Sequence, residues 1–128
     1  NNRSQLTETK DNHLIVDAYN ANPTSMMAAL ENFRLMEVSH KVAILGDMKE
    51  LGEGSVDEHR KIVSYLEGCG FERIILVGEE FGKANTGFEW YKNTDDLKAK
   101  ILQDKISGKF VLIKGSNSMK LAPLKELL

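Results

Sequence analysis

Ten residues, Asp17-Ala-Tyr-Asn-Ala-Asn-Pro-Thr-Ser-Met26, bring together a carboxylate, a phenol, two carboxamides and two hydroxyls. Two further segments have the same polar character, Gly46-Asp47-Met48-Lys49-Glu50 and Lys114-Gly115-Ser116-Asn117. Groups of these types make specific hydrogen bonds as donors and as acceptors. Each segment follows a short apolar run: His13–Val16, Lys41–Leu45 and Lys109–Ile113. Runs of that length and composition are strands, and those at Lys41 and Lys109 are of the kind covered on both faces. In an open α/β sheet, ligands bind in the crevice beyond the carboxyl ends of the strands. Three polar turns on that edge therefore predict a binding site. Each turn also has a plainer reading. Asn22 and Pro23 make a capped helix start, Asp47 can form a turn with Gly46, and Lys114 can be a solvated strand end.

The elements that position these turns follow from periodicity. Residues 3–10 alternate weakly and, with Asp11-Asn12 as a turn, pair with His13–Tyr19 as an antiparallel edge hairpin. Met26, Ala29, Leu30, Phe33 and Met36 follow helical spacing and predict a helix from Pro23 to about Val38. Ser55, with Glu58 three residues on, forms a capping box for a second helix bearing Val56, Ile62, Val63, Leu66 and Cys69. Arg73–Val77 is another buried-type strand, Phe81–Ala84 a single helical turn and Phe88–Tyr91 a brief strand. Thr94 caps a third helix above Leu97, Ile101 and Leu102, and a closing helix carries Leu121, Leu124 and Leu128. His59 falls on the apolar face of the second helix, where a structural histidine bonded to the preceding acidic loop is the favoured reading. Glu53 and the pair Glu79-Glu80 read as solvent-facing. The fold class is α/β, a Rossmann-like three-layer αβα arrangement. Its sheet is mostly parallel, of about six strands, with the N-terminal antiparallel edge hairpin.

Composition removes several function classes. Seventeen Lys and Arg against nineteen Asp and Glu, with no basic stripe, leave no electrostatic footprint for nucleic acid. No apolar stretch approaches the ~20 residues that span a bilayer, so membrane insertion is not expected and the chain reads as cytoplasmic. One cysteine, Cys69, excludes an internal disulfide and a multi-cysteine metal site. The spacing of His13, His40 and His59 is not of zinc type. There is no P-loop, no Gly-x-Gly-x-x-Gly after the first strand and no Gly-x-Ser-x-Gly elbow. The chain holds half of a site.

Read together, the Asp17–Met26 segment, Ile44-Leu-Gly-Asp-Met-Lys-Glu-Leu-Gly-Glu53, His59 and Val111-Leu-Ile-Lys-Gly-Ser-Asn-Ser-Met119 resemble the C-terminal domain of the Mur ligases. Within that family they are similar to the branch that adds D-alanyl-D-alanine to UDP-N-acetylmuramoyl-tripeptide in peptidoglycan synthesis. The resemblance covers essentially the whole chain. It implies that residues 1–128 are one domain, the third of a three-domain enzyme, an expectation that also suits an opening Asn-Asn-Arg without an initiating Met. It implies ATP and Mg2+ as cofactors, held mainly by a central ATPase domain of the same chain. It also implies an acyl-phosphate route in which the amine of D-alanyl-D-alanine attacks.

Residue roles follow from the resemblance. Asp17 matches the family acid that accepts the hydroxyls of the ATP ribose, and Tyr19, Asn20 and Asn22 line the same turn. Asn20 and Asn22 can equally face the dipeptide. Asp47 and Glu50 attract its ammonium, whereas Lys114 and the N–H groups of Gly115 and Ser116 receive its carboxylate. The family's last motif often reads Lys-Gly-Ser-Arg, and Asn117 stands at the fourth place here. The competing reading is a free-standing ligand-binding or regulatory domain of flavodoxin-like shape without catalysis.

Overall fold

The computed structural model describes residues 5–84 and 87–128. Arg3 and Ser4 of the expected hairpin lie outside the described residues. The sheet has six strands: β1 (Gln5–Glu8), β2 (His13–Asp17), β3 (Lys41–Gly46), β4 (Arg73–Val77), β5 (Glu89–Tyr91) and β6 (Phe110–Lys114). Their order is β1-β2-β6-β3-β4-β5. Only β1 runs antiparallel, with Leu6 opposite Ile15; the other pairings are parallel, as expected. Four helices connect the strands: α1 (Pro23–Leu35), α2 (Ser55–Glu67), α3 (Glu79–Ala84) and α4 (Thr94–Gln103).

Strand alternation divides the core between two faces. Ala43, Leu45, Leu76 and Leu112 meet Met26, Leu30, Phe33, Ile62, Leu66 and Phe81 on the side of α1, α2 and α3. Val42, Ile44, Val111 and Ile113 meet Leu97, Ile101, Leu121, Leu124 and Leu128 on the other. The strands are apolar at successive positions because both faces are covered.

Local details depart from expectation where tertiary partners compete. The α1 helix ends at Leu35, short of Val38. Ser55 and Thr94 are the first residues of α2 and α4 rather than their caps. The Ser55 hydroxyl donates to Glu80 Oε1 at 2.6 Å, and that of Thr94 to the Met119 carbonyl at 2.6 Å. Asn93 caps α4 instead, accepting from the Asp96 N–H. Glu80, read as solvent-facing, is thus tied to Ser55. Cys69 lies beyond the end of α2, and Leu102 is 72% exposed because its neighbour Ile101 takes the inward position. The closing segment is a 3-10 helix, Ala122–Leu127, containing Pro123; Leu121, Leu124 and Leu128 are nevertheless buried.

At the amino end of the sheet, Asn12 holds the hairpin turn, the last strand and the tail together. Its buried carboxamide donates to the carbonyls of Ile106 and Leu128 and accepts the Lys109 N–H. That residue reads in sequence as half of a turn.

Candidate functional site

The three polar turns leave adjacent strands, β2, β6 and β3, at their carboxyl ends. After β2, Ala18 and Ala21 are buried and turn Tyr19 and Asn20 outward. Asn22 then caps α1: its Oδ1 accepts the Ser25 N–H at 2.9 Å, and the Ser25 hydroxyl accepts the Asn22 N–H at 3.1 Å. Its carboxamide oxygen is therefore used by the helix, the plainer of the two sequence readings.

The turn after β3 is fixed from several directions. Asp47 is 1% exposed, and its carboxylate accepts the N–H groups of Glu80 and Phe81 at 3.0 and 2.9 Å. Beside it, Gly78 has φ +117°, and a Cβ there would stand 2.2 Å from the Asp47 Cγ. The Met48 N–H donates to His59 Nε2 at 3.0 Å, and His59 Nδ1 lies 2.8 Å from the Ser55 carbonyl. An acceptor Nε2 and a carbonyl facing Nδ1 assign a neutral ring protonated at Nδ1. His59 is fully buried, edge-on to Phe81, and supports the loop from below. The Lys49 N–H donates to the Ser116 hydroxyl at 2.9 Å, and Glu50 turns in the left-handed region at φ 64°. Near this network, hydrogen bonding from Ser55, with Lys83 alongside, holds the Glu80 carboxyl below the usual carboxylate range.

The turn after β6 is locked to the turn after β3. The Ser116 N–H donates to the Asp47 carbonyl at 3.0 Å. Gly115 is needed for close approach: a Cβ there would lie 2.9 Å from the Gly46 Cα. Residues Asn117–Met119 form a 3-10 helix. Lys114 ends β6 at 2% exposure, with Nζ 2.9 Å from Asp17 Oδ2 and 3.2 Å from the Asn20 carbonyl.

These turns enclose a cleft of about 560 Å³ lined by Tyr19, Asn20, Lys49, Glu50, Ser116, Asn117 and Ser118. Tyr19, Asn20, Glu50 and Ser116 were singled out in the sequence. Lys49 and Ser118 were not, although both sit within the segments that drew attention. Asp17 lies on a separate, mostly apolar groove of about 370 Å³ between β2 and α1, with Ile15, Ser25, Ala28, Asn32 and Met36 among its walls. Asp47, Lys114, Gly115 and His59 form the support beneath, and none of them lines the cleft. A further cavity of about 360 Å³, bordered by Lys10, His13, His40 and Lys109, opens at the amino ends of the strands. Topology favours the carboxyl edge as the site. Among the described residues, no group of three or more His, Cys, Asp or Glu could hold a metal ion.

A family model described as "Mur ligase, glutamate ligase domain" matches residues 2–117. The chain belongs to this Mur ligase family. The UDP-N-acetylmuramoyl-tripeptide–D-alanyl-D-alanine ligase of Rickettsia prowazekii is 31% identical over 125 residues, covering 93% of this chain and 28% of the relative. The MurF ligase of Thermotoga maritima, solved in complex with ADP, superposes with a TM-score of 0.80 at 22% identity, over 98% of this chain and 30% of that one. MurF of Acinetobacter baumannii superposes with a TM-score of 0.76 at 27% identity, over 98% of this chain and 28% of that one. This Mur ligase domain thus spans less than a third of the relatives it matches. The expected fold agrees with theirs, and no described helix is long and apolar enough to cross a membrane.

Proposed function

We propose that residues 1–128 are the C-terminal domain of a three-domain, ATP-dependent ligase. The full enzyme joins D-alanyl-D-alanine to UDP-N-acetylmuramoyl-tripeptide in the bacterial cytoplasm. The observation that carries the proposal is the presence of opposite charges, Lys49 and Glu50, on one cleft at the carboxyl edge of the sheet. A dipeptide zwitterion presents an ammonium and a carboxylate, and a cleft with one group of each sign can orient it. Glu50 receives the ammonium. Lys49, an exposed side chain whose ammonium lies 3.8 Å from Asp47 Oδ2, receives the carboxylate, a role for which Lys114 is unsuited because its ammonium is buried against Asp17. Asn20 and Ser116–Ser118 supply neutral hydrogen bonds around it, and Tyr19, 58% exposed, offers a ring against which a flat group can pack.

Asp17 fits the nucleotide role. It sits at the strand end with its side chain 15% exposed, and Lys114 engages one of its oxygens, Oδ2. A carboxylate held in this way can accept the two hydroxyls of a ribose. Bound ATP supplies the phosphoryl group that activates the peptide carboxylate. With no P-loop in this chain and no acidic cluster for a metal among the described residues, the triphosphate and Mg2+ are assigned to the central domain. The residues of this domain hold the ribose and the amine substrate, and closure of the two domains brings them to the activated carboxyl.

Steady-state kinetics of the full-length enzyme test the reading. Asp17→Ala is expected to raise the KM for ATP roughly tenfold or more, the scale of a lost charge-assisted hydrogen bond. An unchanged KM for ATP would remove Asp17 from the nucleotide site.

A further inference from the structure

Lys114 lines neither the cleft nor the groove, yet its ammonium touches segments that line both. Asp17, on its one side, borders the groove between β2 and α1. The Asn20 carbonyl, on its other, belongs to the turn whose Tyr19 and Asn20 side chains border the cleft. The pairing is built into the sheet, because Asp17 and Lys114 are register partners across β2 and β6. A buried ammonium is tolerated only while partners take its donors, so its bonds to the carboxylate and to the carbonyl depend on one another. Without the ammonium, the 18–22 turn keeps the buried methyls of Ala18 and Ala21 but loses its polar anchor at Asn20.

We propose that Lys114 is a positioning residue that couples the nucleotide side of the site to the amine side, holding Asp17 and the Tyr19–Asn20 turn in one arrangement. The inference rests on the ligase reading above and assigns Lys114 no contact with substrate. A nucleotide held by Asp17 restrains Lys114, and Lys114 restrains the wall of the cleft that receives the amine. Such coupling is reciprocal, so occupancy of the cleft also favours the arrangement that holds the nucleotide.

The test uses the full-length enzyme. Lys114→Met is expected to raise the KM for ATP and the KM for D-alanyl-D-alanine together, each about tenfold, with kcat changed less. Asp17→Ala is expected to raise the dipeptide KM as well as that for ATP. The double variant should be little worse than the poorer single one, because both remove the same link. A rise in the dipeptide KM alone would make Lys114 a direct ligand and overturn the proposal. Lower thermal stability with both KM values unchanged would make it merely structural, with the same consequence. If Lys114→Met does not fold, the dipeptide KM of Asp17→Ala decides. Hydrogen–deuterium exchange over residues 18–22 reads the tie without catalysis. Faster exchange in Lys114→Met is expected, and unchanged exchange would overturn the proposal. A wild-type enzyme that forms no amide would sink the ligase reading while leaving this exchange result to stand on its own.

Discussion

The Asp47 carboxylate receives two backbone N–H groups from the start of α3 and is almost wholly enclosed. Asp47→Ala leaves those donors without their partner and should destabilise the fold by about 3 kcal/mol, read as a lower urea midpoint with an unchanged slope. In sequence, Asp47 looked like an attractant for an ammonium, because an acid beside glycines after a strand suits either use. What separates the uses is the arrival of α3 from more than thirty residues away, and no local pattern reports that. Lys114 and Asn12 carry the same lesson. Asp17 and Lys114 lie 97 residues apart, and their contact requires β6 to insert between β2 and β3. Asn12 reads as a turn residue, and its three long-range bonds follow from the fold alone. His59 was more legible, since its apolar surroundings and the acidic loop before it are both local.

At the scale of elements, apolar runs identified β3, β4 and β6, because strands covered on both faces write themselves as continuous hydrophobic runs. The exposed edge strand β1 was legible only through weak alternation beside a turn, and helical spacing located the described helices. Caps were misplaced by one residue at α2 and α4, where Ser55 and Thr94 gave their hydroxyls to distant partners. Asn22 kept its local role, with both halves of the reciprocal cap present. Asn22→Ala should therefore lower stability by about 1 kcal/mol while leaving the KM values for ATP and dipeptide as they are. A raised KM at unchanged stability would return Asn22 to the site. The closing segment had the right buried leucines and the wrong helix type. Three-residue spacing from Leu121 to Leu124 fits a 3-10 helix as well as an α-helix, and Pro123 removes a donor.

For the whole molecule, three carboxyls and one phenol contribute to the pH dependence of stability. Lys109 first and His40 second hold Glu72 below its ordinary value of 4.5, Ser55 and Lys83 do so for Glu80, and Arg73 for Glu89. The unfolded chain takes up protons at these carboxyls first, so their contribution is full above about pH 4.5 and is lost as pH falls towards the folded values. At the alkaline end, burial and the bond to Glu89 push Tyr91 up to about 12 from 10.0. Its contribution is full below pH 10 and lost as pH rises towards 12. Thermal midpoints should form a plateau bounded by these two windows, and Tyr91→Phe should remove a late step from the ultraviolet titration of the tyrosines. A titration unaffected by the substitution would contradict the placement of Tyr91.

The fold joins three polar turns into one edge, which is proposed to serve a reaction completed by other domains. The most direct measurement is amide formation by the full-length protein from UDP-N-acetylmuramoyl-tripeptide, radiolabelled D-alanyl-D-alanine and ATP, with and without residues 1–128. Label should enter the UDP-linked product only when ATP and this domain are both present. Transfer of label that persists without the domain, or its absence from the intact protein, would contradict the account.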